Sequence, residues 1–200
     1  MFVNHAIMLV NMKVSTRITR NRLCFAAVFA ALVAVSQFFI IPLPGGVPLV
    51  LKNLFVVLAG TVLGSFYGGI ALLIFIAAGL LGAPVFVIPG PGAFSTPLGG
   101  YIIGYFLAAL TAGLICGIPK ISEKKISLLF TIRLSLASLS GFAIILICGA
   151  LYLMWLNSIS FTAALVAGVV PFIAGDLIKL AISIPLALKL RPIAARYLND

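Results

Sequence analysis

The stretch Pro171-Phe172-Ile173-Ala174-Gly175-Asp176-Leu177-Ile178-Lys179-Leu180 runs on through almost wholly apolar sequence to Leu188. At about 1.5 Å of rise per residue, such a run is long enough to cross much of a bilayer as a helix. Its single acid is costly there: an Asp or Lys near the membrane centre is unfavourable by about 2.5–3.5 kcal/mol on insertion scales. Lys179 follows Asp176 at i, i+3, so the two side chains share a helix face and can neutralise each other or close together on one ligand. Two readings stand at this point, a structural intramembrane ion pair and the docking point of a polar ligand.

The rest of the chain has the same character. Of its 200 residues 64% are hydrophobic and 8% charged, with a mean hydropathy of +1.32; a soluble domain carries about a quarter charged residues, so that class is excluded. Ten-residue alternating segments of a barrel are absent, and the apolar runs predict helices. The expected fold is an all-α integral membrane protein, a six-transmembrane-helix bundle with both termini cytoplasmic. Its parts are a basic N-terminal segment at 1–22, a membrane domain at 23–190 and a basic cytoplasmic tail at 191–200. Residues 1–22 show no small-residue cleavage site after a short apolar core and read as a cytoplasmic anchor.

Spans are predicted at about 23–41, 47–66, from the Tyr67-Gly68-Gly69 turn to about 81, 98–118, within 130–156, and 171–188. Segment 160–170 is either a short interfacial helix or the start of the sixth span. Pro42-Leu43-Pro44-Gly45-Gly46 breaks the chain after span one. Four prolines and three glycines in residues 82–97 exclude a helix there. Backbone without internal partners cannot face lipid, so this uncharged loop is a lid or a plug lining a cavity.

Eleven of the thirteen basic residues fall in three clusters: Lys13, Arg17, Arg20 and Arg22; Lys120, Lys124, Lys125 and Arg133; Lys189, Arg191 and Arg196. The positive-inside rule places all three in the cytoplasm, which requires an even number of spans between neighbouring clusters; four and then two satisfy it. The uncharged loops at 42–48, 82–97 and 156–162 then lie outside, beside Lys52 and Asn53. Asp176, Lys179, Lys52, Asn53 and Tyr101 thus converge on one outward-facing site under the Pro/Gly loop. A carboxylate accepts two N–H donors side by side, a lysine meets a carbonyl or carboxylate, and aromatics cover an apolar ring. That inventory suits a small, neutral-to-anionic ligand with an amide-like end. Snorkelling of Lys52 to the interface and a belt position for Tyr101 stay open as alternatives.

Several chemistries are excluded. The basic residues sit at helix ends without any base-reading motif, so no nucleic acid is expected. Cys24, Cys116 and Cys148 are odd in number and lie in apolar helical stretches, and His5 has no ligand-type neighbours, so neither a disulfide framework nor a metal site is expected. No GxxxxGK[ST] loop, no second acid beside Asp176 and no Ser or Cys with a His base is present, so the chain is expected to be no enzyme and to carry no cofactor. On span one, Ala26, Ala30 and Ala34 recur every four residues with Ala27 and Ala31 beside them. Such a face allows close helix approach, either to a partner subunit or inside the bundle. Gly60, Gly64 and Gly68 are assigned to internal packing.

Five ordered stretches carry a resemblance: Ile41-Pro42-Leu43-Pro44, Leu54-Phe55-Val56-Val57-Leu58-Ala59-Gly60, Gly82-Ala83-Pro84-Val85-Phe86, Pro97-Leu98-Gly99-Gly100-Tyr101 and Pro171 to Lys179. Over about residues 23–192 the chain resembles the BioY family, the biotin-specific substrate-binding (S) components of energy-coupling-factor (ECF) transporters. The resemblance implies a six-helix bundle in the bacterial cytoplasmic membrane that takes biotin from outside. It also implies work with a transmembrane coupling subunit and two cytoplasmic ATPase subunits, all in contact with lipid. Asp176 and Lys179 match the family's ligand-binding pair, and the alanine face of Ala26, Ala30 and Ala34 is implied to dock on the coupling subunit. The family usually carries Gln-Thr where this chain has Lys52-Asn53, and its loop after span three is usually longer and richer in Gly-Gly. From its charge and predicted depth alone, Lys52 is expected to be an extra partner for biotin's carboxylate. A substrate-binding component for another vitamin, or an intramembrane enzyme or pore with Asp176 and Lys179 as a structural pair, are the alternatives.

Overall fold

Inside a bilayer no water satisfies peptide groups, so the long apolar runs close their hydrogen bonds within helices. The structure, a computed structural model, describes residues 20–41, 49–120 and 127–199. Helix α1 covers residues 20–36 and is followed by strand β1 at Ile40–Ile41, which pairs antiparallel with β2 at Leu49–Val50. Then come α2 (Lys52–Leu80), a short 3-10 turn (Pro91–Ser95), α3 (Leu98–Cys116), α4 (Leu128–Asn157), α5 (Phe161–Gly168) and α6 (Val170–Asn199). The described part is therefore all-helical apart from that two-residue ladder, and α3, α4 and α6 are each long and apolar enough to cross a membrane, as α2 is when counted through its bend at Gly64. The basic residues Lys13 and Arg17, the breaker at 42–46 and the polar stretch 121–126 lie outside the described residues.

The expected turn at Tyr67-Gly68-Gly69 is not where the chain reverses. The reversal is at Gly64, whose φ of 81° and ψ of 175° interrupt α2; that region is open essentially to glycine alone. Beyond it the chain returns along itself: a side chain at Gly68 would meet the Ala59 carbonyl oxygen and Gly60 Cα at 2.9 Å, and Lys52 at the start of α2 lies over the Phe75 ring near its end. Gly68 serves the close approach of the two arms, whereas Gly64 makes the bend. The arms of 12 and 16 residues are about 18 and 24 Å long, shorter than the roughly 30 Å of hydrocarbon.

Helix α3 packs most extensively on α2 and α4. Its small residues separate into two faces, as expected where close approach rather than hydrophobic drive holds helices together. Gly100 and Gly104 press on Tyr152, Ile145 and Cys148 of α4, while Gly113 abuts Gly64 and Ser65, and Ala109 fills the space at Gly60.

Segment 160–170 is resolved as a separate helix. Ser158 takes the left-handed conformation and stops α4, and the Ser160 side chain accepts from the Ala163 N–H at 3.3 Å to cap α5. Pro171 lies in the first turn of α6, where a missing N–H is harmless. Helix α6 itself does not stop near Leu188, where the last span is expected to end, but runs on past Pro185 and Pro192 to Asn199. Arg191, the first residue of the expected basic cytoplasmic tail, is fully buried. It donates to the carbonyl oxygens of Thr61, Cys116 and Gly117 and lies 5.2 Å from the Phe130 ring centre.

Two ends of the bundle emerge from these contacts. At one, Arg191 and Arg133 meet the last carbonyls of α3, and Arg22 donates to the Leu198 carbonyl at 2.8 Å, so cations close helix C-termini whose carbonyls lack helical partners. At the other, the end of α1, the start of α2, the 81–97 loop, the start of α3, α5 and the start of α6 come together. Between them the chain passes six times: α1, the two arms of α2, α3, α4 and α6.

Candidate ligand-binding site

The Gln37 to Lys52 end holds the candidate site. On α6, Asp176 and Lys179 are one helical turn apart, and Lys179 Nζ lies 2.5 Å from Asp176 Oδ1 with both side chains almost fully buried. Asn53, in the first turn of α2, brings its Nδ2 to 3.5 Å from the same oxygen. Asp176 Oδ2 has no hydrogen-bond partner among the described residues. A buried acceptor left unpaired is uncommon in folded proteins and costs about 1–3 kcal/mol.

Beside this pair is a cavity of about 170 Å³, lined by Lys52, Asn53, Tyr101, Lys179 and a largely apolar wall. One water occupies about 30 Å³ in the liquid, so the space is ample for a small organic group. The structure therefore brings Lys52, Asn53, Tyr101 and Lys179 onto one cavity, while Asp176 is not in the lining and joins it through its ion pair with Lys179.

Lys52 does not snorkel. It is buried, donating to Gln37 Oε1 at 3.0 Å and the Val85 carbonyl at 3.3 Å. Tyr101 is likewise no belt residue: its hydroxyl donates to the Gly168 carbonyl at 2.7 Å, tying α3 to α5, so it is the ring that faces the cavity. The loop after α2 folds inward, with Phe86 buried edge-on against Phe75 and Gly90 N–H donating to the Gly79 carbonyl at 2.8 Å. Pro and Gly exclude an α-helix there, and the chain makes only the 3-10 turn at Pro91–Ser95.

The model of the BioY family matches residues 10–196. The chain belongs to the BioY family. It is 35% identical over 174 residues to the biotin transporter BioY of Thermotoga maritima, covering 86% of this chain and 96% of that one. To the probable biotin transporter BioY of Pyrococcus horikoshii it is 36% identical over 168 residues, covering 82% and 93%. Its fold matches a crystal structure of the S-component for biotin from an ECF-type ABC transporter with a TM-score of 0.71 at 28% identity, over 90% of this chain and 93% of that one.

In this BioY chain the sequence reasoning missed Gln37, Tyr105, Leu146 and Phe172. Two were within reach: Tyr105 is i+4 from Tyr101, and Phe172 is i−4 from Asp176 and i−7 from Lys179, so each shares its helix face with a residue already singled out. The alanine face is corrected as well. Ala26 and Ala30 are buried in the core and Ala34 is half-buried, whereas Ala27 and Ala31 are exposed. A side chain already enclosed by its own bundle offers no docking surface.

Proposed function

We propose that this chain captures biotin as the substrate-binding component of an ECF-type transporter. It is a multi-pass membrane protein, and ATP hydrolysis belongs to other subunits. The observation that carries the reading is the buried Asp176 to Lys179 pair with Oδ2 of Asp176 unpartnered, beside an aromatic cavity. A ureido ring presents two N–H donors and one carbonyl oxygen in a plane. In this reading Asp176 accepts a ureido N–H, and Lys179 turns on its flexible stem to meet the ureido oxygen. Asn53 steadies the carboxylate from α2, and the rings of Tyr101, Tyr105 and Phe172 cover the bicyclic body.

The six passes of the chain are, in the same reading, six membrane spans with both termini cytoplasmic in a bacterial cytoplasmic membrane. The cationic end would then face the side where anionic lipid and the positive-inside bias lie. The partners would be a transmembrane coupling subunit and two cytoplasmic ATPase subunits. If α1 docks on the coupling subunit, it does so through Ala27 and Ala31 on its outward face.

Mass spectrometry of the small molecule retained on purified protein, followed by calorimetry with biotin and a panel of other vitamins, tests the function. Retention and tight binding of a different vitamin, with biotin inert, would overturn it.

A further inference from the structure

Two lysines are buried at this site, and they are not equivalent. Lys179 has its counter-charge in Asp176 at 2.5 Å. Lys52, 8% exposed, has none among the described residues: its hydrogen-bond acceptors, Gln37 Oε1 and the Val85 carbonyl, are neutral, and the Phe75 ring lies 5.6 Å from Nζ. An ammonium carries three N–H donors, and these contacts use two. A buried cation without an opposite charge is strongly disfavoured unless something completes it. Asp176 forms its ion pair with Lys179 and none with Lys52, and the chain's other acids, Glu123 and Asp200, lie outside the described residues.

Successive residues on a helix point about 100° apart, so Lys52 and Asn53 diverge. Asn53 reaches Asp176, whereas Lys52 turns toward Phe75 and Val85, yet both line the same cavity. The cavity therefore has one end that pairs its own charges and another that carries an uncompensated positive charge, with Tyr105, Leu146 and Phe172 also in its wall.

We propose that Lys52 is the charge-selecting residue of the site: its third N–H takes an ionised carboxylate on the ligand, so the chain discriminates carboxylate ligands from their neutral amides. The proposal rests on the biotin reading above and adds an orientation, ureido ring toward Asp176 and carboxylate toward Lys52. Gln37 and Val85 hold Nζ in place beforehand, so little side-chain freedom is lost when the ligand arrives.

The test is calorimetry of the purified chain with biotin and with biotinamide, which keeps the rings and loses the charge. Wild type is expected to prefer biotin by roughly ten- to a hundred-fold, the worth of a charge-assisted contact. In Lys52→Gln that preference should collapse toward one while biotinamide affinity is retained, which also shows that the variant is folded; Lys52→Arg should keep the preference. An unchanged biotin-to-biotinamide ratio in Lys52→Gln would overturn the proposal and leave the biotin reading intact, as would equal loss of both ligands in Lys52→Gln and Lys52→Arg with wild-type melting temperatures. Wild-type protein that binds neither compound would overturn both.

Discussion

Arg191, eight residues before the end of α6, donates through Nη1 to the carbonyl oxygen of Thr61, three residues before the chain reverses at Gly64. The same guanidinium reaches Gly117 at 3.2 Å, just past the end of α3. One planar fork thus ties three elements at the cationic end, which a single-point ammonium cannot reproduce. Arg191→Met should destabilise the fold by about 1–3 kcal/mol for each carbonyl left buried without a donor. Arg191→Lys should recover only part of that loss. Melting in detergent checks both, and Arg191→Lys melting with wild type would show that the fork is irrelevant.

Asp176 accepts from both Lys179 and Asn53, and Asn at this position would keep an oxygen for them while losing the charge. Asp176→Asn is expected to weaken biotin binding roughly ten- to a hundred-fold while the protein stays folded. Calorimetry that finds wild-type affinity would make the pair structural.

At Gly64 the backbone adopts a conformation that costs an ordinary residue about 1–3 kcal/mol. Gly64→Ala should lower the melting point accordingly, although a Cβ there has ordinary room, 3.5 Å from Ile118 Cα. Gly68→Ala acts by contact instead, pushing the second arm off Ala59 and Gly60. Thermal stability equal to wild type in Gly64→Ala would rule out the strained bend.

Ala30 is buried at 4% exposure and Ala31 is exposed. Ala30→Trp should therefore cut both stability and biotin binding, since overpacking alone costs about 1–3 kcal/mol. Ala31→Trp should bind biotin normally, and loss of ATP-driven uptake in that variant would place the coupling subunit on this face. Normal biotin binding in Ala30→Trp would refute the internal packing of α1.

Topology has its own check. Single cysteines at Ser95 and Ser122 in a cysteine-free background are expected to react with an impermeant reagent in intact cells at Ser95 only. The reverse pattern would invert the orientation argued from the basic clusters.

The sequence by itself determined the class, the rough course of the helices and several of the residues that gather at one cavity. Apolar run length, basic clusters and the lone intramembrane acid are set by partition between water and lipid, which acts residue by residue along the chain. So Asp176 with Lys179, and the gathering of Lys52, Asn53 and Tyr101 around one cavity, could be read without coordinates. Only the tertiary structure decided which glycine bends α2, which alanine face of α1 is enclosed, and that Arg191 is a buried tie between three elements. Glycines 64, 68 and 69 look alike until the opposite helix is in place, and Arg191 becomes favourable in the interior only because carbonyls from Thr61, Cys116 and Gly117, distant in sequence, converge on it. That Lys179 but not Asp176 lines the cavity was hidden for the same reason: which side chain reaches a cavity is a property of the assembled neighbours, not of the helix that carries the residue.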